Sequence, residues 1–374
     1  MSPLLLILLY AKIIFFGSSV CNGQGAEEID GVKHGYAWQY NQLLDARHNQ
    51  LTFQVINTSV NGNSTVKHLA IIDSHLLAEE GQFAVIGLGL GNEGLHEAAD
   101  KQAVYDQWKT NMQTLIRLAQ EAGKTVVVTN NYSRGDYTPA DYRFVKRMNI
   151  EMHEWDVPTV NLLGALDNCQ GDGRWADGYQ NGDDIYHPNT AGHTEMMHAF
   201  VPSLFDALTA GKPQPVRQKS KGTRLSRNKQ LIFTPEDQVH SFTLALHVKN
   251  LPNLRINNQS PITNNQSNLP PLRGGAGRGF SIIITHYYAA KKTFVYIDGQ
   301  LIRTIDGALP LDQLILSGRC TVSDLAFWRS GMNADEVTAW QNGHMLRSSL
   351  ELYCPLNNAN LTNFAQSTNN IQLK

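Results

Sequence analysis

The stretch Lys12-Ile-Ile-Phe-Phe-Gly-Ser-Ser-Val-Cys-Asn-Gly23 decides the fold of the first half of the chain. Its apolar run at 13–16 has no helical period and stops at Gly17, which is typical of a buried parallel strand that enters a tight turn. Two serines follow, so we expect a hydroxyl at the carboxyl end of this strand, where open α/β sheets bind their ligands. An ordinary Gly-Ser turn after a core strand is the alternative that this stretch alone leaves open.

Residues 12–210 alternate short apolar runs with longer amphipathic stretches, the pattern of βαβ units. Further strands are predicted at 51–56, 83–88, 125–129 and 158–162, and helices at 35–46, 100–122, 139–155 and 190–208. The pattern therefore predicts an α/β domain in which a five-stranded parallel sheet lies between two layers of helices. The handedness of parallel crossovers leaves few topologies for it.

The length of 374 residues predicts a second domain. Residues 211–230 hold seven basic residues, two prolines and no acidic residue, which favours a solvated linker over a basic patch for an acidic glycan or a membrane surface. From 231 to 355, short alternating strands and turn signals such as Asp298-Gly299 predict an antiparallel β-sandwich. Residues 356–374 are expected to form a C-terminal tail.

Composition excludes several classes of protein. The chain is 42% hydrophobic and 17% charged, as in globular proteins. Its formal net charge of −2 argues against a general nucleic-acid binder, so no nucleic-acid partner is predicted. The absence of CxxC, HExxH, P-loop and GxSxG motifs removes, among others, the usual nucleophile elbow of α/β-hydrolases.

The cysteines and the N-terminus each leave two interpretations open. Cys21, Cys169, Cys320 and Cys354 are too few for a disulfide framework; Cys320 with Cys354 and Cys21 with Cys169 are candidate pairs, and buried free thiols are the alternative. Residues 1–11 resemble the apolar core of a signal peptide but lack a basic n-region and a clear cleavage site. Lys12 makes the run too short to span a membrane. A secreted or periplasmic protein is expected if residues 1–11 direct export.

Chemistry-bearing residues follow the strand ends. Ser19 follows the first strand, Gly62 lies in the loop after the second, and Asn92 follows the third. An ester carbonyl is attacked by a serine only when a base takes its proton. His187 is the candidate base, and Asp184, three residues earlier, is the candidate group that fixes its tautomer. The backbone N–H groups of Ser19 and Gly62 and the amide of Asn92 are candidate oxyanion donors.

Each of these residues also has a plainer interpretation. An Asp-x-x-His loop is more often a helix-capping carboxylate beside a surface histidine, and Asn92 and Gly62 are common turn residues. An alternative metal site would use Asp183, Asp184, His187 and His193. No ligand set elsewhere completes such a shell, so we predict neither a metal nor a cofactor. The catalytic interpretation is favoured because the four candidate positions come in order at the ends of successive predicted strands. These positions are Ser19, Gly62, Asn92 and the Asp184–His187 pair.

Because of these residues and their order, residues 12–209 resemble the SGNH (GDSL-type) hydrolases. Gly17-Ser-Ser-Val20 followed by Gly23 matches the first block of that family, with Ser18 in place of the usual Asp, and implies Ser19 as the nucleophile. Asp184-x-x-His187-Pro188 matches the last block and implies the orienting acid and the base.

The two middle blocks match less closely. Asn61-Gly62-Asn-Ser-Thr65 resembles the second block and implies Gly62 as an oxyanion donor. Gly91-Asn92-Glu93 resembles the third, although Leu90 and Glu93 stand where Gly and Asp are usual. The resemblance implies a flavodoxin-like strand order and a serine esterase that works through an acyl-enzyme.

Residues 231–355 resemble the LamG/concanavalin-like jelly-roll modules. Three features carry this resemblance: the hairpin Val295-Tyr-Ile-Asp-Gly-Gln-Leu301, the strand at 322–328, and the stretch Asn333-Ala-Asp-Glu-Val337, which is predicted to be a short helix with its own N-cap. Such modules are often carbohydrate-binding and often structural.

The expected substrate is an O-acyl ester, with acetyl on carbohydrate preferred because of the lectin-like module. Tyr132, Arg134 and Trp175 are candidates to line the substrate pocket, and equally candidates to pack or cap their loops. The alternatives are a lipase or thioesterase on the same fold, and a glycan-binding protein that has lost activity.

Overall fold

The computed structural model of the protein describes residues 11–48, 52–250, 252–257, 279–357 and 360–374. Of the expected leader, only Ala11 lies within these ranges. In chain order the first part of the molecule contains β1 (Ala11–Gly17), β2 (Glu28–Ile29), β3 (Val32–Lys33), α1 (Tyr36–His48), β4 (Phe53–Asn57), α2 (Thr65–Ile72), β5 (Phe83–Gly87), α3 (Lys101–Glu121), β6 (Thr125–Thr129), α4 (Pro139–Met152), β7 (Thr159–Val160), α5 (Leu163–Leu166), β8 (Gln180–Asn181), β9 (Asp184–Pro188), α6 (Thr190–His198) and α7 (Leu204–Thr209).

Five of these strands form a parallel sheet in the order β4-β1-β5-β6-β7. The predicted α/β class and its flavodoxin-like strand order are therefore confirmed. In β1, Ile14 and Phe16 belong to the core on one face, whereas Ile13 and Phe15 belong to the core on the other. All four side chains are fully buried because helices cover both faces, which explains the unbroken apolar run.

The strand expected at 158–162 is shortened to Thr159–Val160 in β7, and two other predicted elements also differ from the structure. The helix expected over 190–208 is divided into α6 and α7, because Pro202 has no backbone N–H and its ring excludes a preceding helical turn. The strand expected at 51–56 is observed as β4, and Leu51 lies outside the described residues. None of these differences changes the order of the sheet.

The rest of the chain is dominated by β-structure. Its elements are β10 (Thr223–Leu225), β11 (Gln230–Phe233), β12 (Phe242–Lys249), β13 (Asn253–Ile256), β14 (Phe280–Tyr287), β15 (Lys292–Ile297), β16 (Gln300–Asp306), β17 (Leu314–Ser317), β18 (Cys320–Trp328), α8 (Ala334–Gln341), β19 (Leu350–Cys354) and β20 (Ile371–Leu373). They form a seven-stranded and a four-stranded sheet whose strand pairs are antiparallel, and one apolar core contains residues of both sheets. The expected second all-β region, here called the β region, is therefore present.

The segments expected as linker and tail belong to this β region. Within 211–230, β10 pairs with β18, and Arg217 forms an ion pair with Asp324 and lies 3.4 Å from the centre of the Trp340 ring. At the other end of the chain, β20 pairs with β11. The interpretation of 211–230 as a solvated linker and of 356–374 as a tail is therefore corrected. Strands of three residues are too short to show a period, and only their pairing reveals them.

The β region covers the edge of the parallel sheet. The Ser349 backbone N–H donates to the carbonyl of Thr159 in β7 at 2.9 Å. The neighbouring Ser348 hydroxyl hydrogen-bonds the Thr159 hydroxyl at 2.5 Å. An open sheet edge would leave such backbone groups free to pair with other chains. Here the chain's own β region satisfies them.

The described cysteines are all free. Burial raises the pKa of the Cys21, Cys320 and Cys354 thiols to about 11, so they stay as neutral thiols. Neither candidate disulfide is therefore present, and the free-thiol alternative holds. Among the helices of the described residues, none combines the length and the apolar character that a membrane crossing requires.

Candidate active site

Ser19, the candidate nucleophile, lies in a tight turn at the carboxyl end of β1. The Asn22 N–H donates to the Ser18 carbonyl and the Gln24 N–H to the Ser19 carbonyl, both at 2.9 Å, so the chain coils as soon as the strand ends. A Cβ on Gly17 would lie 2.5 Å from the Gly87 carbonyl oxygen, so only glycine allows β1 and β5 to approach here. The turn places Ser19, which is 7% exposed, at the carboxyl edge of the sheet.

Ser19, His187 and Asp184 form one hydrogen-bonded chain. The Ser19 Oγ lies 2.8 Å from His187 Nε2, and His187 Nδ1 lies 2.6 Å from Asp184 Oδ2. With its proton on Nδ1, the imidazole donates to Asp184 and offers Nε2 as the acceptor for the serine proton. The structure thus brings Ser19 together with the Asp184–His187 pair, which lies in another element far along the chain, in the arrangement that nucleophilic ester cleavage requires.

Asp184 is held in its charged form. Partial burial by itself raises the pKa of this carboxyl, but the hydrogen bonds from the His187 ring and from the Tyr186 N–H outweigh it, and the pKa lies below its ordinary value. The Tyr186 N–H reaches Asp184 Oδ1 at 2.9 Å. A charged Asp184 keeps the His187 tautomer fixed and stabilises the imidazolium that forms when serine is deprotonated.

The candidate oxyanion donors surround the same turn. The loop after β4 is attached to the end of β1, because the Val60 N–H donates to the Gly17 carbonyl and the Gly17 N–H to the Ser59 hydroxyl, each at 2.9 Å. Neither the Ser19 nor the Gly62 backbone N–H bonds to another described residue. Both are therefore available to an anionic oxygen.

Asn92, the third candidate oxyanion donor, is bonded to the loop that carries Gly62. The Asn92 amide donates to the Asn63 carbonyl at 3.1 Å, which uses one of its two N–H groups. Asn63 directly follows Gly62, whose φ of +72° places it in the left-handed region that favours glycine. The remaining Asn92 N–H is the one that can serve an oxyanion.

Glu93, which departs from the family pattern, has a structural role that its sequence position did not suggest. Its carboxylate accepts the Thr65 backbone N–H at 2.5 Å and the Thr65 hydroxyl at 3.1 Å. Ser64 stands at the N-cap of α2 but makes no side-chain capping bond there. The longer Glu93 side chain reaches across from the next loop and caps α2 instead. Burial raises the Glu93 pKa despite these hydrogen bonds.

Leu90, the other departure, lies away from the reacting groups. Its side chain is fully buried in the core, and its N–H donates to the Asn131 Oδ1 at 2.8 Å. The neighbouring Gly91 lies against Arg134, so that a Cβ there would be 2.2 Å from its guanidinium. The loop of the third block therefore packs on the loop after β6. Leu90 does not obstruct the site.

The three candidate pocket residues make their contacts within the protein. Arg134 forms a two-point ion pair with Asp136, at 3.0 and 2.7 Å, and lies 4.8 Å from the centre of the Tyr186 ring. Trp175 is 6% exposed and donates to Gln180 at 3.3 Å. Tyr132 packs on the core that contains α1. These contacts favour the packing alternative and place Arg134 beside β9.

Two buried histidines, His193 and His68, hydrogen-bond to the backbone around the site. The sequence analysis did not assign them this role. The Tyr36 N–H donates to His193 Nδ1 at 3.3 Å, and the opposite ring nitrogen lies 3.0 Å from the Gln24 carbonyl. His68 Nε2 lies 2.9 Å from the Gly17 carbonyl at the end of β1. His193 is thus a core residue whose two ring nitrogens both have partners within the protein. Across the described residues, no group of His, Cys, Asp and Glu side chains is arranged to hold a metal.

Comparison with known proteins gives one family match. Residues 15–194 match the model of the GDSL-like lipase/acylhydrolase family. A search among curated protein sequences found no significant match.

Several solved structures are similar to part of the chain. Axe2, an acetylxylan esterase from Geobacillus stearothermophilus, is 18% identical, with 50% of this chain and 91% of that chain covered and a TM-score of 0.40. TesA is 21% identical, with 50% and 94% covered and a TM-score of 0.40. LAE5, an α/β hydrolase enzyme from the metagenome of Lake Arreo, Spain, is 16% identical, with 51% and 94% covered and a TM-score of 0.39.

Proposed function

We propose that the protein is a carboxylic ester hydrolase that removes O-acetyl groups from carbohydrate through an acyl-enzyme. The match of residues 15–194 to the GDSL-like lipase/acylhydrolase family supports the ester hydrolase part. The observation that carries the catalytic part is the continuous hydrogen bonding from Ser19 through His187 to Asp184. Roles follow from this geometry: Ser19 is the nucleophile, His187 the general base and acid, and Asp184 the orienting carboxylate.

In the first half of the reaction, Ser19 Oγ attacks the ester carbonyl while its proton moves to His187 Nε2. The negative charge that develops on the carbonyl oxygen is stabilised by the Ser19 and Gly62 N–H groups and by the Asn92 amide. His187 then gives its proton to the departing sugar oxygen, which leaves an acyl group on Ser19. In the second half His187 takes a proton from water, the resulting hydroxide cleaves the acyl-enzyme, and Ser19 regains its proton.

The carbohydrate part of the proposal is supported by the polar surroundings of the nucleophile. Asn22 donates to the Asn61 side chain at 2.8 Å, and Asn61 donates to the Gln24 side chain at 3.4 Å. These uncharged amides border the Ser19 turn and offer both donors and acceptors. Such groups match the hydroxyls of a sugar better than the methylene chain of a fatty acyl group.

A second candidate, a lipase or thioesterase, is favoured by a different observation. Large apolar side chains are exposed on elements that border the site. On the β2–β3 hairpin, Ile29 and Val32 are 45% and 46% exposed to solvent. In β9, Ile185 and Tyr186 are 37% and 48% exposed. Exposed apolar residues around a site are typical of contact with an apolar ligand or surface. A preference for long acyl chains would select this candidate.

The test is hydrolysis of p-nitrophenyl esters from acetate to palmitate, with Ser19→Ala and His187→Ala beside the wild type. The matched control is Ser18→Ala, since Ser18 is the adjacent buried serine and makes no contact in the Ser19–His187–Asp184 chain. We expect loss of activity by at least about 10³-fold in the first two variants and a minor change in the control, with acetate preferred.

The outcomes separate the candidates. If the wild type is no faster than Ser19→Ala on every ester, the catalytic proposal fails, and a glycan-binding protein without activity becomes the better account. Activity that rises with chain length would select the lipase or thioesterase. Release of acetate from acetylated oligosaccharides, measured on the same four proteins, decides the carbohydrate part.

A further inference from the structure

A cavity of about 440 Å³ lies beside the nucleophile turn. Its volume falls in the range of roughly 300–1,000 Å³ that is usual for small-molecule sites. The side chains that define its character are Asn22, Glu28, Val32, Lys33, Trp38 and Asn57. None of the residues proposed for the chemical step is among them.

The β2–β3 hairpin forms one wall of this cavity. It is inserted between the Ser19 turn and α1, and its base is fixed because the Glu27 N–H donates to Thr190 and the His34 N–H to the Glu27 carbonyl, both at 2.8 Å. The Trp38 ring in α1 stacks on His34 at 3.8 Å between ring centres and 8° between planes. The wall that carries Trp38 is therefore held in place without a ligand.

The cavity shares residues with the catalytic turn. Asn22 lines it, and the same side chain donates to Asn61, the residue before Gly62. Lys33 also lines it and donates to the Gln24 side chain at 2.7 Å. A ligand in this cavity therefore contacts the turn that presents Ser19 through Asn22, and Asn22 is in turn bonded to the loop that presents Gly62.

The lining is apolar and polar at once. Ala37, Val32 and the indole of Trp38 supply apolar surface. Glu28 and the Trp38 indole N–H make no side-chain hydrogen bond with any described residue, and Lys33 has two N–H groups to spare after its bond to Gln24. A fatty acyl chain here would remove these charged groups from water without offering them partners.

We propose that this cavity is a subsite for a sugar ring of the acylated carbohydrate, one that is not itself the ring being deacylated. A pyranose has an apolar face for the indole and a rim of hydroxyls for Glu28, Lys33 and Asn22. This inference rests on the proposed carbohydrate esterase function and adds to it the residues that recognise the substrate. Longer oligosaccharides are then better substrates than monosaccharide acetates, since only they reach both the cavity and Ser19.

The kinetic test compares Trp38→Ala and Trp38→Phe with the wild type on p-nitrophenyl acetate and on partially O-acetylated gluco-, xylo- and chito-oligosaccharides. Trp38→Ala is expected to raise KM for the oligosaccharide about five- to ten-fold relative to KM for p-nitrophenyl acetate, with recovery in Trp38→Phe. Leu301→Ala is the matched control, since Leu301 is an exposed apolar residue of the β region at 51%. An equal loss on both substrates, or none on either, overturns the proposal.

A binding measurement separates this proposal from the catalytic one. Calorimetric titration of the Ser19→Ala variant with the same oligosaccharides measures binding without turnover. Binding that weakens when Trp38→Ala or Glu28→Ala is added supports the subsite even if no ester is cleaved. Glu28 is exposed, so its removal does not threaten folding if Trp38→Ala does. Binding to none of the oligosaccharides, or binding that neither variant weakens, overturns it.

Discussion

Glu336 in α8 accepts a hydrogen bond from the side-chain amide of Asn161 at 2.9 Å, across the boundary between the β region and the α/β domain. The same carboxylate oxygen lies 3.3 Å from His153 Nε2, and the other accepts the Asn333 N–H that begins α8. Glu336, Asn161 and His153 are each about 1% exposed. One buried carboxylate thus caps a helix of the β region and bonds to side chains of the α/β domain. A module tethered by a flexible linker would not share such a network.

Glu336→Ala is expected to lower the free energy of unfolding by about 2–3 kcal/mol, because it leaves buried donors of Asn161 and Asn333 without an acceptor. Asp335→Ala is the matched control: Asp335 lies in the same turn, but its side chain is 53% exposed and pairs with Lys146 at the surface, so a change within about 0.5 kcal/mol is expected. Denaturant unfolding followed by fluorescence measures both. Two separate transitions in the wild type would contradict the shared network.

Glu93→Asp, which restores the usual residue of the family, is expected to destabilise the protein by about 1 kcal/mol, because the shorter side chain loses the Thr65 N–H. Ser64→Ala is expected to be nearly neutral, since Ser64 makes no capping bond although it stands at the N-cap. Thermal unfolding of the two variants provides the comparison. The opposite order would show that α2 is capped by Ser64 in solution.

Asn92→Ala is expected to reduce kcat by about 10²–10³-fold, the usual effect of removing one oxyanion donor, with a small change in KM. Asn63→Ala is its control, because Asn92 bonds to the Asn63 backbone carbonyl, which that substitution keeps. Steady-state kinetics on p-nitrophenyl acetate measures both. A loss confined to KM in Asn92→Ala would place Asn92 in substrate binding and not in stabilisation of the transition state.

Acid is expected to destabilise the fold between pH 6.5 and 4. Burial lowers the pKa of His193 to about 4 from an ordinary 6.5, and burial does the same to His286. In this window the unfolded chain binds more protons than the folded one, so stability is present above pH 6.5 and is lost as the pH falls toward 4. The melting temperature measured from pH 4 to pH 8 should fall accordingly.

The contribution of one histidine can be isolated. His193→Gln is expected to be less stable than the wild type at pH 7, because the bond from the Tyr36 N–H is disturbed, but to show a shallower loss on acidification. His344→Gln is the control, since the His344 side chain is 50% exposed. An unchanged slope in His193→Gln would mean that His193 is not neutral in the folded protein.

Local patterns in the sequence predicted the α/β part of the molecule well. The apolar run of β1 is long enough and regular enough to indicate a strand buried on both faces. Asp184 and His187 lie in one short strand, so they are close in sequence, but residues three apart face opposite sides of a regular strand. Their side chains meet at 2.6 Å in β9, whose pairing with β8 is irregular. That Ser19 meets them is decided by tertiary structure, because β9 belongs to the two-stranded β8–β9 sheet and not to the parallel sheet that carries Ser19 at the end of β1.

Other features depend on residues that are distant in sequence and carry no periodic signal. Glu93 looked like a departure from the family pattern, and only the approach of its loop to α2 shows that it caps Thr65. The short strands β10 and β20 are defined by their pairing with β18 and β11.

By itself, the sequence determined the class of the fold, the order of its elements and the candidate catalytic set, because apolar periodicity and short-range spacing act within a single strand or helix. The tertiary structure decided how the β region is attached, which polar side chains are satisfied by one another, and where a cavity opens beside Ser19. These depend on contacts between elements far apart in the chain, whose geometry is set by packing and not by local pattern.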